Sequence, residues 1–440
     1  MKRVAVALCV IVVLGAWIYL YQRQQKPAVP EARQRVFLIG LDGASWNLMG
    51  PALKRGKLPN LQKLIETGSS GPLKSLLPTH SPVLWTSIAT GKTQKKHGIQ
   101  TFTAEKDGKM IPVSGTQRIT KAFWNIFSDY GLTVGVVNWW VTWPPEKVNG
   151  YMISDRYRNW NPHRDKDVVL TYPPDLLSAL PRVGVSQKQF QQDRLQYGLP
   201  EDMTPKVEDE NVGELVRNYK TYWGHDKAIR ESCRRMLDKQ PVDVFAVVFR
   251  IVDVSSHTFS SLMDQQLMQD AAEKQAAGQL TQQDIDRVDT EFAKMMEPVY
   301  VYADEIVGDF LKHAGNNANV VICSDHGFTL DKGRYGHAYM DIPPDGIVIL
   351  NGPAFRKGSQ VEGASLLDIT PTLLYLEGMP MGRDMDGRAL FKAFNPAFLK
   401  THTPTVVASH DKGFRQKGEP ASSEMDQEIL NDLKSLGYIQ

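Results

Sequence analysis

Five short stretches of the sequence carry side chains that bind metals or attack phosphorus. They are "GLDG" with Asp42, "LPTHSP" with Ser81, "RIVDVSSH" with Asp253 and His257, "CSDHGF" with Asp325 and His326, and "GRYGHAYMD" with His337. Taken singly, each has a plain structural reading. Asp42 before Gly43 could open a turn, Ser81 could only cap a helix, and Asp253 with His257 could be an i,i+4 pair. Asp325 and His326 could close a strand, and His337 could be a loop residue. Taken together, three carboxylates and three imidazoles suit two zinc-like ions better than magnesium, which prefers oxygen and water. Two such ions roughly 4 Å apart can hold the attacking and leaving oxygens of an in-line phosphoryl displacement. Coordination also activates a serine hydroxyl at neutral pH without a neighbouring base. A serine at a helix N-terminus gains further from unpaired amides that favour phosphate oxygens.

Such residues need elements that bring them together. "RVFLIGLDG" reads as a buried strand ending at Asp42, and "NVVICSD" as another ending at Asp325. "VDVFAVVFRIVD" delivers Asp253 in the same way. "SPVLWTSIATG" predicts a helix with Ser81 at the N-cap, Pro82 at the first helical position and a closing glycine. "LTVGVVNWW" follows the helical "TKAFWNIFSDYG", long amphipathic stretches run from about Ser260 to His313, and "GIVILNG" and "LLDITPTLLYLEG" complete the alternation. Apolar strands alternating with helices predict an α/β domain with a mostly parallel central sheet covered by helices on both faces. In such sheets functional groups collect beyond the carboxyl ends of the strands.

The 440 residues are enough for a large core, and a formal net charge of +2 gives no case for nucleic-acid binding. Three cysteines without CxxC spacing make no disulfide framework. The 18 residues Val4 to Tyr21 carry no charge, and at 1.5 Å per residue they approach the roughly 30 Å hydrocarbon core of a bilayer. Trp17, Tyr19 and Tyr21 suit its interface. The expected organisation is a signal anchor at 1–22, a linker at 23–34, a catalytic domain at 35–400 and a C-terminal extension at 401–440. That places the catalytic domain outside the cytoplasm, in the periplasm, on a transmembrane helix. Within the domain, polar residues from 156 to 222 break the α/β rhythm and read as a cap insertion. The tail predicts a surface helix packing through Ile429, Leu430, Leu433 and Leu436.

The same residues carry a resemblance. "IGLDGASW", "LPTHSPVLWTSIATGKTQKKHGI", "RIVDVSSH", "CSDHGF" and "SLLDITPTLLYLEGMPMGRDMDGRAL" resemble the alkaline phosphatase superfamily. Within it they resemble the predicted phosphohydrolase/phosphomutase branch, related to type I phosphodiesterases and nucleotide pyrophosphatases. The ending "LKSLGYI" also recurs in that branch. The resemblance implies an alkaline-phosphatase-like fold with two divalent metals, usually Zn2+ and alternatively Mn2+. It puts Asp253, His257 and His337 on one ion and Asp42, Asp325 and His326 on the other, with Ser81 as nucleophile. Thr79 is a rival for that role on sequence alone. No Cys/Ser-x-Pro-x-Arg sequence is present, so the resemblance does not extend to sulfatase chemistry. Pro82 and Val83 stand where nucleotide pyrophosphatases carry Phe and Asn, which argues against a nucleotide substrate. His97 in "KKHGI" reads as structural.

The expected activity is therefore metal-dependent phosphoester hydrolysis through a phospho-serine, on a small molecule, lipid headgroup or glycan. A phosphotransferase acting on an envelope lipid or glycan would use the same groups. An inactive membrane-anchored binding protein would not need them. "NWWVTWPP" offers Trp139 and Trp140 as substrate contacts, with core packing as the alternative.

Overall fold

The computed structural model describes residues 34–204, 210–331, 334–337, 342–414 and 420–439. The anchor expected at 1–22, and all but the last residue of the linker expected at 23–34, lie outside them. Among the described residues no helix is long and apolar enough to cross a membrane.

Ten strands form the central sheet: β1 Val36–Leu41, β2 Ser69–Lys74, β3 Val134–Val137, β4 Gly150–Ile153, β5 Thr171–Tyr172, β6 Val244–Phe249, β7 Asn319–Cys323, β8 Gly346–Asn351, β9 Ser359–Gln360 and β10 Ala364–Ser365. Their order is β9-β2-β8-β7-β1-β6-β3-β4-β5, with β10 also on β2. β1, β6 and β7 are buried along their whole length, as strands covered on both faces must be. The middle five strands, β7 to β4, run parallel. β8 runs antiparallel to both β7 and β2, and β5 antiparallel to β4. The sheet is thus mixed but, as expected, mostly parallel: β2, β9 and β10 run in the direction of the middle five, and only β8 and β5 oppose them. Between β7 and β8 the described chain forms only a short hairpin, Thr329–Asp331 with Arg334–Gly336. Without a crossover helix the chain re-enters the sheet from the edge it left, which makes β8 antiparallel.

Two apolar layers flank the sheet. On one face Phe37, Ile39, Phe245 and Val247 pack with α1 (Trp46–Lys54), α3 (Glu210–Lys239) and α5 (Gln282–Ala314). On the other, Leu38, Val136, Ala246 and Val248 pack with Leu84, Trp85 and Ile88. The polar stretch 156–222 contributes Tyr157, Phe190, Tyr219 and Tyr222, with Leu176, Leu180, Leu199 and Leu215, to the first layer, so it is held by scattered apolar side chains rather than by apolar runs.

Candidate metal centre

The register of the parallel strands gathers the candidate ligands. Gly40 lies opposite Cys323, and Leu41 opposite Phe249, so β1, β6 and β7 end at one level. Asp42 follows β1 directly. Asp253 sits in the first turn of α4 (Ile251–Ser260), which leaves the end of β6 with His257 one turn later. Asp325 and His326 follow β7, and His337 directly follows the short hairpin Thr329–Asp331 with Arg334–Gly336. Gly43 permits the close approach. It has φ +76°, and a Cβ there would lie 2.9 Å from the Asp253 Cα.

The ligand atoms converge. His326 Nε2 lies 3.5 Å from Asp42 Oδ1, 3.6 Å from Asp325 Oδ2 and 3.7 Å from Asp253 Oδ1. His257 Nε2 and His337 Nε2 are 3.0 Å apart, and they lie 3.5 and 3.6 Å from Asp253 Oδ1. A tetrahedral zinc with bonds of about 2.0–2.1 Å holds its donors roughly 3.3–3.4 Å apart, so these spacings suit ions at their centres. Two buried triads meet that geometry, Asp42/Asp325/His326 and Asp253/His326/His337. His326 therefore stands between the two sites rather than within one. Its Nδ1 faces the Gly327 carbonyl at 3.1 Å, which fixes the tautomer that turns the Nε2 lone pair on the carboxylates.

A second observation tests the fit. Asp42 Oδ1, Asp253 Oδ1, both Asp325 oxygens, His326 Nε2 and Ser81 Oγ are buried without a hydrogen-bond partner. Buried polar atoms are ordinarily paired, and these are the atoms two cations would satisfy. Burial pushes the carboxyls of Asp42 and Asp325 up; repulsion from Asp253 adds to it at Asp42, and repulsion from Asp42 and Asp253 at Asp325. Burial also opposes the Asp253 charge, but His257, His337 and His326 outweigh it and hold that carboxyl below its usual range. Burial and the two neighbouring imidazoles, His326 and His257, keep His337 neutral, as a ligand must be.

Ser81 begins the helix α2 (Ser81–Thr90), one position later than the expected N-cap, which is His80. The hydroxyl therefore caps nothing. Val83 and Leu84 turn their amides onto the His80 carbonyl, at 2.8 and 3.0 Å, so those two expected anion donors are already engaged. Trp85, one turn beyond Ser81 on the same face, donates to Asp42 Oδ2 at 3.1 Å and docks this end of the helix on the Asp42 side. Thr79, the other candidate, donates its hydroxyl to the His337 carbonyl at 2.7 Å.

The two tryptophans separate. Trp139 has no accessible surface, packs edge-on against Trp85 and Phe123, and donates to the Trp85 carbonyl. It is a core side chain, which corrects the expected substrate contact. Trp140 donates to Asp42 Oδ2 at 2.9 Å and is half-buried. His97 is buried between the Ser87 hydroxyl and the Ile99 amide, in keeping with a structural role.

The residue that sequence reasoning missed lies in the tail. The helix α6 (Asp426–Ser435) buries Leu430 and Leu433, and beyond it Tyr438 donates its hydroxyl to Asp253 Oδ2. The phenol ring stacks on Phe102 at 4.6 Å and meets the His257 ring edge-on at 5.3 Å. Its one sequence signal was the recurring "LKSLGYI", which says nothing of what the tyrosine touches.

The family model for type I phosphodiesterase / nucleotide pyrophosphatase matches residues 36–341, from β1 through His337. The chain belongs to this family. This phosphodiesterase family is part of the alkaline phosphatase superfamily, its members are metal-dependent, and the chain is a hydrolase acting on phosphoester bonds. No curated protein matches the sequence. Among solved structures, human ectonucleotide pyrophosphatase / phosphodiesterase 5 is 14% identical, covering 82% of this chain and 100% of that one, with a TM-score of 0.47. A putative sulfatase from Bacteroides thetaiotaomicron is 13% identical, covering 86% of this chain and 76% of that one, with a TM-score of 0.49.

Proposed function

We propose that this phosphodiesterase-family chain hydrolyses phosphoesters at a two-metal centre through a phospho-serine on Ser81. The buried donor atoms without partners carry this reading, since they need two cations to be satisfied. Asp253, His257 and His337 would hold one ion, and Asp42 and Asp325 the other, with His326 beside both. Divalent ions bound there, zinc in first place and manganese in second, supply positive charge for the nucleophile and for the phosphate oxygens. Ser81 Oγ attacks phosphorus in line; the new O–P bond forms as the ester oxygen leaves, and water then cleaves the phospho-serine. Trp85 and Trp140 hold Asp42 Oδ2, which leaves Oδ1 turned to the centre.

One observation favours a transferase as the second reading. Ser81 has no accessible surface, so its phosphoryl group would be shielded from bulk water and an acceptor hydroxyl could compete. The uncharged run Val4 to Tyr21 supports a membrane-held catalytic domain outside the cytoplasm, where lipid headgroups, glycans and small phosphoesters are the candidate substrates.

Ser81→Ala should lower turnover of a phosphoester panel by at least about a thousandfold while metal content, read by elemental analysis, stays near wild type. A variant that keeps most activity would show that the nucleophile lies elsewhere. Activity that persists after exhaustive chelation would remove the metals from the mechanism.

A further inference from the structure

Beside the metal centre lies a narrow cleft bounded by Trp140, Arg158, Arg250, Asp253 and Tyr438, with α6 as its outer wall. Arg250 immediately precedes α4, three residues before Asp253, so guanidinium and carboxylate share one helical face. The guanidinium carbon lies 3.4 Å from the centre of the Trp140 ring, and Trp140 in turn donates to Asp42. A single indole separates this cation from the metal centre.

Arg250 is only 7% exposed, yet its Nε and Nη2 have no hydrogen-bond partner. The three N–H groups on those two nitrogens are costly to leave unmet in a buried guanidinium. The nearby carboxylates serve other donors. Asp226 Oδ2 accepts the amides of Arg250 and Ile251, at 2.9 and 2.8 Å. Asp432 accepts Asn159 Nδ2 at 2.8 Å and the Tyr222 hydroxyl at 3.1 Å. Asp155 accepts the Val141 amide at 3.0 Å and lies 4.0 Å from Arg250 Nη2, beyond hydrogen-bond reach. Arg158 adds a second buried guanidinium to the same cleft. Burial and repulsion from Arg158 lower Arg250 to about 9, against the raising pull of Asp155, Asp42 and Asp226.

We infer that this cleft is a subsite for a compact anionic group of the substrate, a carboxylate by size, bound by Arg250 and Arg158 while the phosphoryl group occupies the metal centre. The inference rests on the phosphoester reading above. A cleft of about 30 Å³ is two to three times what one water needs on that measure, roughly 10–15 Å³. That is room for a planar three-atom carboxylate rather than a second phosphate. The guanidinium fork matches a carboxylate in bidentate fashion, and the Trp140 face already fixes its plane.

The test is isothermal titration of the zinc-loaded protein with matched phosphonates: phosphonoacetate against ethylphosphonate, and 3-phosphonopropionate against propylphosphonate. In the wild type the carboxylated member of at least one pair should bind about tenfold tighter or better. Arg250→Gln should bring that ratio to within about twofold of unity, with Arg250→Lys, which keeps charge but not the fork, in between. Equal affinities within both pairs in the wild type would overturn the subsite without any variant. So would a ratio that survives Arg250→Gln, which would leave Arg250 merely a prop for Trp140. If no phosphonate binds the wild type at all, the phosphoester reading itself fails, a separate outcome.

Discussion

Burial leaves His97 no room for a proton. Desolvation, with Arg118 nearby, pulls its imidazole down to about 3, while an unfolded chain protonates it near 6.5. The folded-state value is the lower one, so the stabilisation is full above pH 6.5 and is lost as pH falls toward 3, by about 1.4 kcal/mol per unit. Urea titrations from pH 7 to 4 should show His97→Gln with a shallower acid slope than wild type; parallel slopes would mean the site protonates when folded. Tyr438→Phe keeps the ring against Phe102 and removes only the bond to Asp253 Oδ2. It should weaken metal affinity about tenfold in a chelator competition, and unchanged affinity would make the contact incidental. The candidate ligands were legible in the sequence because Asp and His at strand ends are few and chemically distinct. Trp85 and Tyr438 were not, since an aromatic side chain that serves the core looks the same as one that donates to a ligand.

At the scale of elements, the strand ends did what apolar runs closed by Asp predict. The helix start moved by one residue, because Pro82, without an amide, fits the second helical position as well as the first. The tail helix shows the larger difference. Its apolar stripe predicted packing, and Leu430 and Leu433 are buried, but periodicity does not say against what. Leu433 joins Phe102 and Tyr438 in one small cluster over the metal centre. Leu433→Ala should cost about 2–5 kcal/mol of local stability, seen as faster amide exchange across Asp426–Ser435 with protection of β1 and β6 unchanged. Loss of protection throughout the sheet would mean that the tail and the core unfold as one unit.

The whole molecule carries little net charge, yet three carboxylates lie buried together within it. On the proposed reading, their repulsion would be tolerable with two divalent ions between them and costly without. Metal binding would then be coupled to folding, and a thousandfold excess over Kd would stabilise by about 4 kcal/mol. Chelation should lower the melting temperature by about 5–10 °C, and zinc should restore it. A melting curve indifferent to both would argue that the cluster is satisfied without ions.

The sequence by itself determined the chemistry on offer: which side chains can bind metal or attack phosphorus, and that apolar strands would end beside them. Those facts are local, written in residue type and in patterns a few residues long. Only the tertiary structure decided that His326 stands between both sites, that Trp139 is core while Trp140 holds Asp42, and that Tyr438 reaches Asp253 across 185 positions of chain. Contacts of that kind depend on strand register and on which surfaces two distant segments happen to share. No propensity or period in one chain encodes them, because they are set by the packing of the whole.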